Sequence, residues 1–286
     1  IFLLERVKFP NLYPMIDDAI AYPSPDSILR AKYSEDSDEI FDQLRTILIS
    51  SIENSRGKKL SVRNTRNGKR LDRAGKWYVP GTGVFDSGKG DTSTQVSLDS
   101  KLRSAKDGSL RTYNTYFHNK MSGLFRSESE SLLSMLNEDW LYIGNSKTRG
   151  FGLVRVLEFR EHRIDLISEI KSFNESIRNV LPGEDRTYVS ILLTSDLILQ
   201  KDETIEMLMG SEFKLALSLL KASHTSGWSS ASNIPKAFQN NISAGTVLIY
   251  STDLSVEESA KIVEKLYIKG LGKFTGSGYG QFVIYK

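Results

Sequence analysis

Two spacings of apolar residues alternate along the chain. Apolar residues three and four apart predict helix, and alternating or continuous apolar runs predict strand. Residues 1 to 9 are apolar and strand-like. Pro10, Pro14, Pro23 and Pro25 then predict an extended loop through NLYPMIDDAIAYPSPDS. Residues 39 to 52 set Ile40, Leu44, Ile47 and Leu48 on one helical stripe. Residues 80 to 112 hold few apolar anchors among Gly, Ser, Thr, Asp and Lys, and read as a long mobile insertion. A short helix is predicted over 129–137, strands over 140–143 and 153–159, and a helix over 165–179 that Leu181-Pro182-Gly183-Glu184 stops.

The second half follows a cleaner plan. Residues 187–199 are strand-rich, 213–220 fit either helix or strand, and 223–243 read as a long loop holding Trp228 and Lys236. A strand is predicted over 246–250. Ser255 then caps a helix, with Glu258 three positions on completing a capping box. Val256, Ala260, Val263, Leu266 and Tyr267 form its apolar stripe, and Gly270 ends it. A closing strand runs over 282–285. Helices against an antiparallel sheet make the expected class α+β, with halves of 1–162 and 163–286.

One stretch near the C-terminus has a double. Residues 143 to 156 read IGNSKTRGFGLVRV and residues 271 to 284 read LGKFTGSGYGQFVI, an offset of 128 positions. Gly144 meets Gly272, Gly150 meets Gly278, Phe151 meets Tyr279 and Gly152 meets Gly280. Gly276 lies inside the second loop. This reads as an internal duplication. Such glycines admit positive φ, and successive N–H groups in such a turn form a concavity suited to phosphate. A dinucleotide fingerprint fits poorly, because that motif follows a strand and opens a helix. No G-x-x-x-x-G-K-[ST] occurs.

Composition narrows the classes. The 286 residues carry a formal charge of only +3, so nucleic-acid affinity must come from local patches. The absence of cysteine excludes disulfides and thiolate metal sites and fits a reducing cytoplasm. No apolar run reaches membrane-spanning length, so no membrane partner is expected. The chain opens on Ile1-Phe2-Leu3-Leu4, which reads as the inside of a strand and predicts a fragment of something longer.

Charge and aromatic residues supply the candidate chemistry. Residues 56 to 76 hold nine Lys or Arg against one acid, Asp72. They read either as a solvated loop or as a phosphate-contacting arm through Arg63, Arg66, Lys69, Arg70 and Arg73. Lys147 and Arg149 stand in the first glycine loop and Lys273 in the second. Trp77, Tyr78, Tyr113, Tyr116 and Phe117 offer stacking faces or core. His118, His162 and His224 lack metal-ligand spacing, so no metal, other cofactor or catalytic residue is expected. An alternative stays open, since metal-free RNA cleavage needs only a positioned base and acid, which His118 or His224 could supply. A weaker one is target-RNA cleavage through a loop acid such as Asp72 or Asp91.

These residues resemble a known family. Gly-x₅-Gly-aromatic-Gly before a strand, once per half, looks like the RAMP superfamily of CRISPR-associated proteins. The stretch VKFPNLYPMIDDAIAYPSPDSIL is similar to the "YP…P-x-P-x-S" region of one branch, and NTYFHNKMSGLFRSESESLL to its segment ending in "LF" plus serine and acid. Ser226-Gly227-Trp228 through Ile234-Pro235-Lys236 to Ala244-Gly245-Thr246-Val247 resembles its "GW…lPK…aGSv" run. That branch is the RAMP subunit of type III-D effector complexes related to the subunit that holds the crRNA 5′ handle. Its members carry an earlier strand, helix and "PG-x-x-x-[RK]G" turn that this chain lacks, so the first half is expected to be incomplete. The resemblance implies tandem ferredoxin-like halves with glycine-rich loops and long insertions. It implies a non-catalytic crRNA-binding subunit that grips the guide's 5′ part and caps the backbone filament in antiviral defence. Implied partners are crRNA, other RAMP backbone subunits, the large polymerase-like subunit and, indirectly, target RNA.

Overall fold

The computed structural model describes residues 7–8, 11–31, 40–56, 65–66, 69–85, 90–95, 111–116, 120–124, 126–127, 140–142, 152–158, 164–229 and 234–286. The class is α+β, with helices and several small antiparallel sheets. The chain divides into two compact units, one of residues 1–11, 25–73 and 123–286, the other of 12–24 and 74–122.

In the first unit, β1 (Ile28–Ala31), β2 (Ile40–Asp42), α1 (Leu44–Ser55), β3 (Thr65–Arg66) and β4 (Lys69–Arg73) come first. The strands form an antiparallel sheet in the order β2-β1-β4-β3. The helix predicted from Glu39 starts only at Leu44, because Ile40 and Phe41 pair with β1 instead. Asp42 accepts the Leu44 N–H at 2.9 Å and marks the change. The basic arm is likewise not a plain loop: part of it is the β3–β4 hairpin.

Next come β5 (Trp140–Tyr142) and β6 (Leu153–Arg155), which pair as a hairpin, and α2 (Leu166–Arg178), capped by Asp165 on the Ser168 N–H. Then follow β7 (Thr187–Leu193), β8 (Lys214–Leu219), β9 (Ala222–Ser229), β10 (Ile234–Ile242), β11 (Val247–Thr252), α3 (Val256–Lys269) and β12 (Phe282–Ile284). The ambiguous 213–220 stretch is therefore strand. The predicted loop over 223–243 is instead the β9–β10 hairpin. Its polar, weakly patterned residues hide a pairing that backbone hydrogen bonds carry.

The main sheet runs β8-β11-β7-β12, all antiparallel. Every residue of β7 is buried, which its apolar, β-branched run TYVSILL favours. Val189, Ile191 and Leu193 join one core with Ile170 of α2, Val263 of α3, Leu248 and Tyr250 of β11, and Phe282 of β12. The capping box predicted at Ser255 and Glu258 is present, and Gly270 ends α3 at φ +77°.

A buried carboxylate ties α1 to this half. Glu184 accepts from Arg186 Nε at 2.7 Å and from Arg56 Nη2 at 2.6 Å, so the first cation of the basic arm is engaged by the fold. Burial pushes the Glu184 carboxyl up, but the Arg186 hydrogen bond and charge, with help from Arg56, outweigh it and hold the pKa below the usual range. A depressed acid stabilises the fold above its unfolded pKa, near 4.5, and loses that contribution as pH falls through the folded value. Melting followed from neutral pH downward is expected to show an acid-limb loss of stability that Glu184→Gln flattens.

The second unit is built of short strands. Tyr13–Ile16 and Ala19–Ile20 form a hairpin about Asp17 and Asp18, both left-handed at φ 49° and 61°. Tyr22–Pro23 pairs with Trp77–Val79, which pairs with Gly83–Phe85. The Tyr13 and Tyr22 rings meet edge-on at 5.3 Å. The extended loop predicted over residues 10–25 is thus partly sheet: Pro14 and Pro23 sit in two- to four-residue strands, where a missing N–H is tolerated. The predicted insertion also contains a ribbon, Gly90–Gln95 against Arg111–Tyr116. The helix expected over 129–137 lies outside the described residues.

Candidate nucleic-acid interface

The C-terminal glycine loop, residues 270–281, links α3 to β12. Four of its glycines are left-handed: Gly270, Gly272, Gly278 and Gly280, at φ +77°, +68°, +88° and +66°. Neighbouring chain explains each. A Cβ at Gly280 would overlap the Leu271 carbonyl oxygen, and one at Gly272 the Ile198 carbonyl oxygen. One at Gly270 would stand 2.9 Å from Thr275, and one at Gly278 would stand 2.8 Å from Asn11 Oδ1.

Most of the loop's N–H groups also serve the fold. Leu271 donates to Gly280 O, Lys273 to Ile198 O, Ser277 to Phe274 O, Gly278 to Thr275 O and Gly280 to Asp196 O. Gln281 donates to Ser195 Oγ at 2.8 Å. Asn11 Nδ2 donates to Gly278 O at 2.8 Å, and the Asn11 N–H reaches Gln281 Oε1 at 3.4 Å. Asp196 holds a neighbouring segment as well, accepting from Ala244 N at 2.9 Å. The loop is thus a pinned turn, and the broad cradle of free N–H groups expected from its glycines is narrowed to a crest.

That crest is Phe274 to Gly276. Gly276 is exposed, has no left-handed φ, and a Cβ there would meet nothing within 4 Å. Its N–H and that of Thr275 have no partner among the described residues. Phe274 is half-exposed and left-handed at φ 57°, an outlier for a bulky side chain, and meets Tyr279 edge-on at 6.3 Å. Lys273 beside it is exposed.

Of the first glycine loop only Gly152 is described. Its φ is +79°, beside +66° at its counterpart Gly280, and each glycine leads into a strand. Gly144, Lys147, Arg149 and Gly150 lie outside the described residues, as do Arg63, His118 and His162. Arg66 faces Lys69 across the β3–β4 hairpin, Arg70 faces Thr65, and Arg73 pairs with Leu29. The β9–β10 register brings two predicted residues together: Gly227 pairs with Lys236 and Trp228 with Pro235. His224, exposed, pairs with Asn240 on the same hairpin. Among the described residues, no group of three or more His, Cys, Asp or Glu is placed to hold a metal ion, and no helix is long and apolar enough to cross a membrane.

Asn11, Ser195 and Asp196 hold the loop and were not singled out from the sequence. Their contacts join positions 86 to 270 residues apart, or run through backbone carbonyls, and leave no local pattern.

No family model and no curated protein matches the chain. Among solved structures it is similar to a chain in the cryo-EM structure of the Type III-B Cmr-beta bound to cognate target RNA. There the TM-score is 0.45 and identity 13%, covering 97% of this chain and 78% of that one. It is also similar to a chain in the structure of the Type III-B Cmr-beta bound to cognate target RNA and AMPPnP, state 1. In that case the TM-score is 0.41 and identity 13%, covering 90% and 68%.

Proposed function

We propose that the chain is a RAMP-type, RNA-binding subunit of a type III CRISPR effector. It grips the 5′ part of the guide RNA without cutting it, caps the backbone filament and contacts the large polymerase-like subunit. In this reading the chain is two ferredoxin-like halves meeting near residue 162 and works in the cytoplasm. Arg63, Arg66, Lys69, Arg70, Arg73, Lys147, Arg149, Trp228, Lys236 and Lys273 contact RNA beside the glycine loops. Gly276 carries the reading. Every left-handed glycine of its loop has a reason inside the fold, whereas nothing in the described chain demands a glycine at 276. A backbone bare of side chains, with free N–H groups following Lys273 and the exposed ring of Phe274, admits a phosphate at close range.

The test is titration of labelled crRNA into the full chain and its Gly276→Ala variant, with EDTA present. Alanine there is expected to leave stability unchanged or raise it by about 0.4–1 kcal/mol. RNA affinity is expected to fall, with the RNA left intact. Equal affinity in a variant that melts normally would make the crest an ordinary turn. Site-specific cleavage in EDTA, lost in His224→Ala, would replace this reading with a metal-independent guide-processing nuclease.

A further inference from the structure

The β5–β6 hairpin turns its side chains the wrong way for a pair that serves only the fold. Alternation puts Trp140 and Tyr142 on one face of β5. The register sets Arg155 opposite Trp140 and Leu153 opposite Tyr142, so the four share that face. All are exposed, Trp140 at 55%, Tyr142 at 56% and Leu153 at 49%. Leu141 and Val154, paired on the other face, are half-buried. A hairpin selected for stability alone would bury its two largest rings and expose the smaller aliphatics. A contiguous exposed apolar face marks an interaction site.

The chemistry of the face names the occupant. The two rings stand at alternate positions of one strand, about 6.8 Å apart along it. Flat faces repeated along a line suit successive unstacked bases. Arg155 shares the face, and among the described residues no carboxylate pairs with it. Rings with a free guanidinium match bases and phosphates better than an aliphatic or basic protein surface.

We propose that this face is a stacking platform for single-stranded RNA: Trp140 and Tyr142 each take the face of one unpaired base, and Arg155 holds an adjoining phosphate. The proposal rests on the RNA-binding reading above and adds to it a surface other than the C-terminal glycine loop. Stacking tolerates every base, so the platform would hold RNA of any sequence.

The experiment uses the full chain with a mixed-sequence single-stranded oligoribonucleotide and its duplex, titrated at several salt concentrations. Trp140→Ala and Tyr142→Ala are expected each to weaken single-strand binding by between about five- and 150-fold, with the salt slope unchanged. Phenylalanine at either position should restore most of the affinity. Arg155→Ala should lower the log–log salt slope by about 0.7. Duplex binding should not respond to the two rings. If the double alanine variant binds single strands like the wild type while Gly276→Ala still binds weakly, the platform is wrong and the loop reading stands. If the wild-type chain binds no RNA, both fall. Unchanged RNA binding with altered self-association in sedimentation would make the face a protein interface and overturn the platform. Should the alanine variants fail to fold, 4-thiouridine crosslinking to the wild type decides. Adducts on Trp140 or Tyr142 support the proposal, and their absence from a productive crosslink overturns it.

Discussion

Replacing Gly280 by alanine is expected to destabilise the first unit by roughly 2–5 kcal/mol. About 1–2 kcal/mol comes from forcing a Cβ into left-handed backbone, and about 1–3 kcal/mol from overpacking a site with no room. The position offers no relief. A Cβ would overlap the Leu271 carbonyl oxygen, whose residue donates its own N–H to Gly280 O at 2.9 Å. The Gly280 N–H is meanwhile held by Asp196 O at 2.9 Å, so moving away breaks a second bond. Domains have only about 5–15 kcal/mol of stability, so a loss of this size removes a large share. Urea unfolding of Gly280→Ala beside Gly276→Ala checks the contrast. The first midpoint should drop sharply and the second should hold or rise. Equal midpoints would mean the loop is not closed in the way described.

A comparable loss, roughly 2–6 kcal/mol, is expected for Asn174→Leu. Asn174 is buried in α2, and its Nδ2 donates to Tyr188 O and Ile170 O, both at 2.8 Å, while its Oδ1 accepts from Tyr188 N at 2.7 Å. On that side of β7 the partner strand β12 pairs only with residues 191–193. Beyond its end the side-chain amide stands in for a strand and satisfies the backbone of Tyr188. Leucine keeps the volume but leaves a buried N–H and a buried C=O unpaired, at about 1–3 kcal/mol each. Thermal and urea unfolding of the variant measure it. A shift within experimental error would show that another group takes over the amide's bonds.

What could be read from the sequence followed from local chemistry. Ser255 and Glu258 announce α3 because a capping box needs only residues three apart. Helix α2 was legible from its stripe and its stop, and so was the strand expected over 246–250, which runs over Val247–Thr252. The β9–β10 hairpin was not, since His224, Asn240 and their neighbours show no two-residue apolar alternation. Nor was the short-strand structure around Pro14 and Pro23, where the prolines argued against it. Within the glycine loop the sequence marks its glycines alike. Only the backbone separates Gly280, required by its neighbours, from Gly276, which is not. The outward rings of β5 escaped notice because alternation shows that two faces differ, and not which one the fold covers.

Asn11 fixes the loop from the far end of the chain, across 267 positions. A ribosome adding about 5–20 residues per second needs roughly 13–53 s to make the intervening chain. Through that interval Asn11 has no glycine turn to grip. The crest at Gly276 therefore takes its final form only after translation has passed Gln281. Any contact that depends on the closed crest waits until the chain has been made through Gln281.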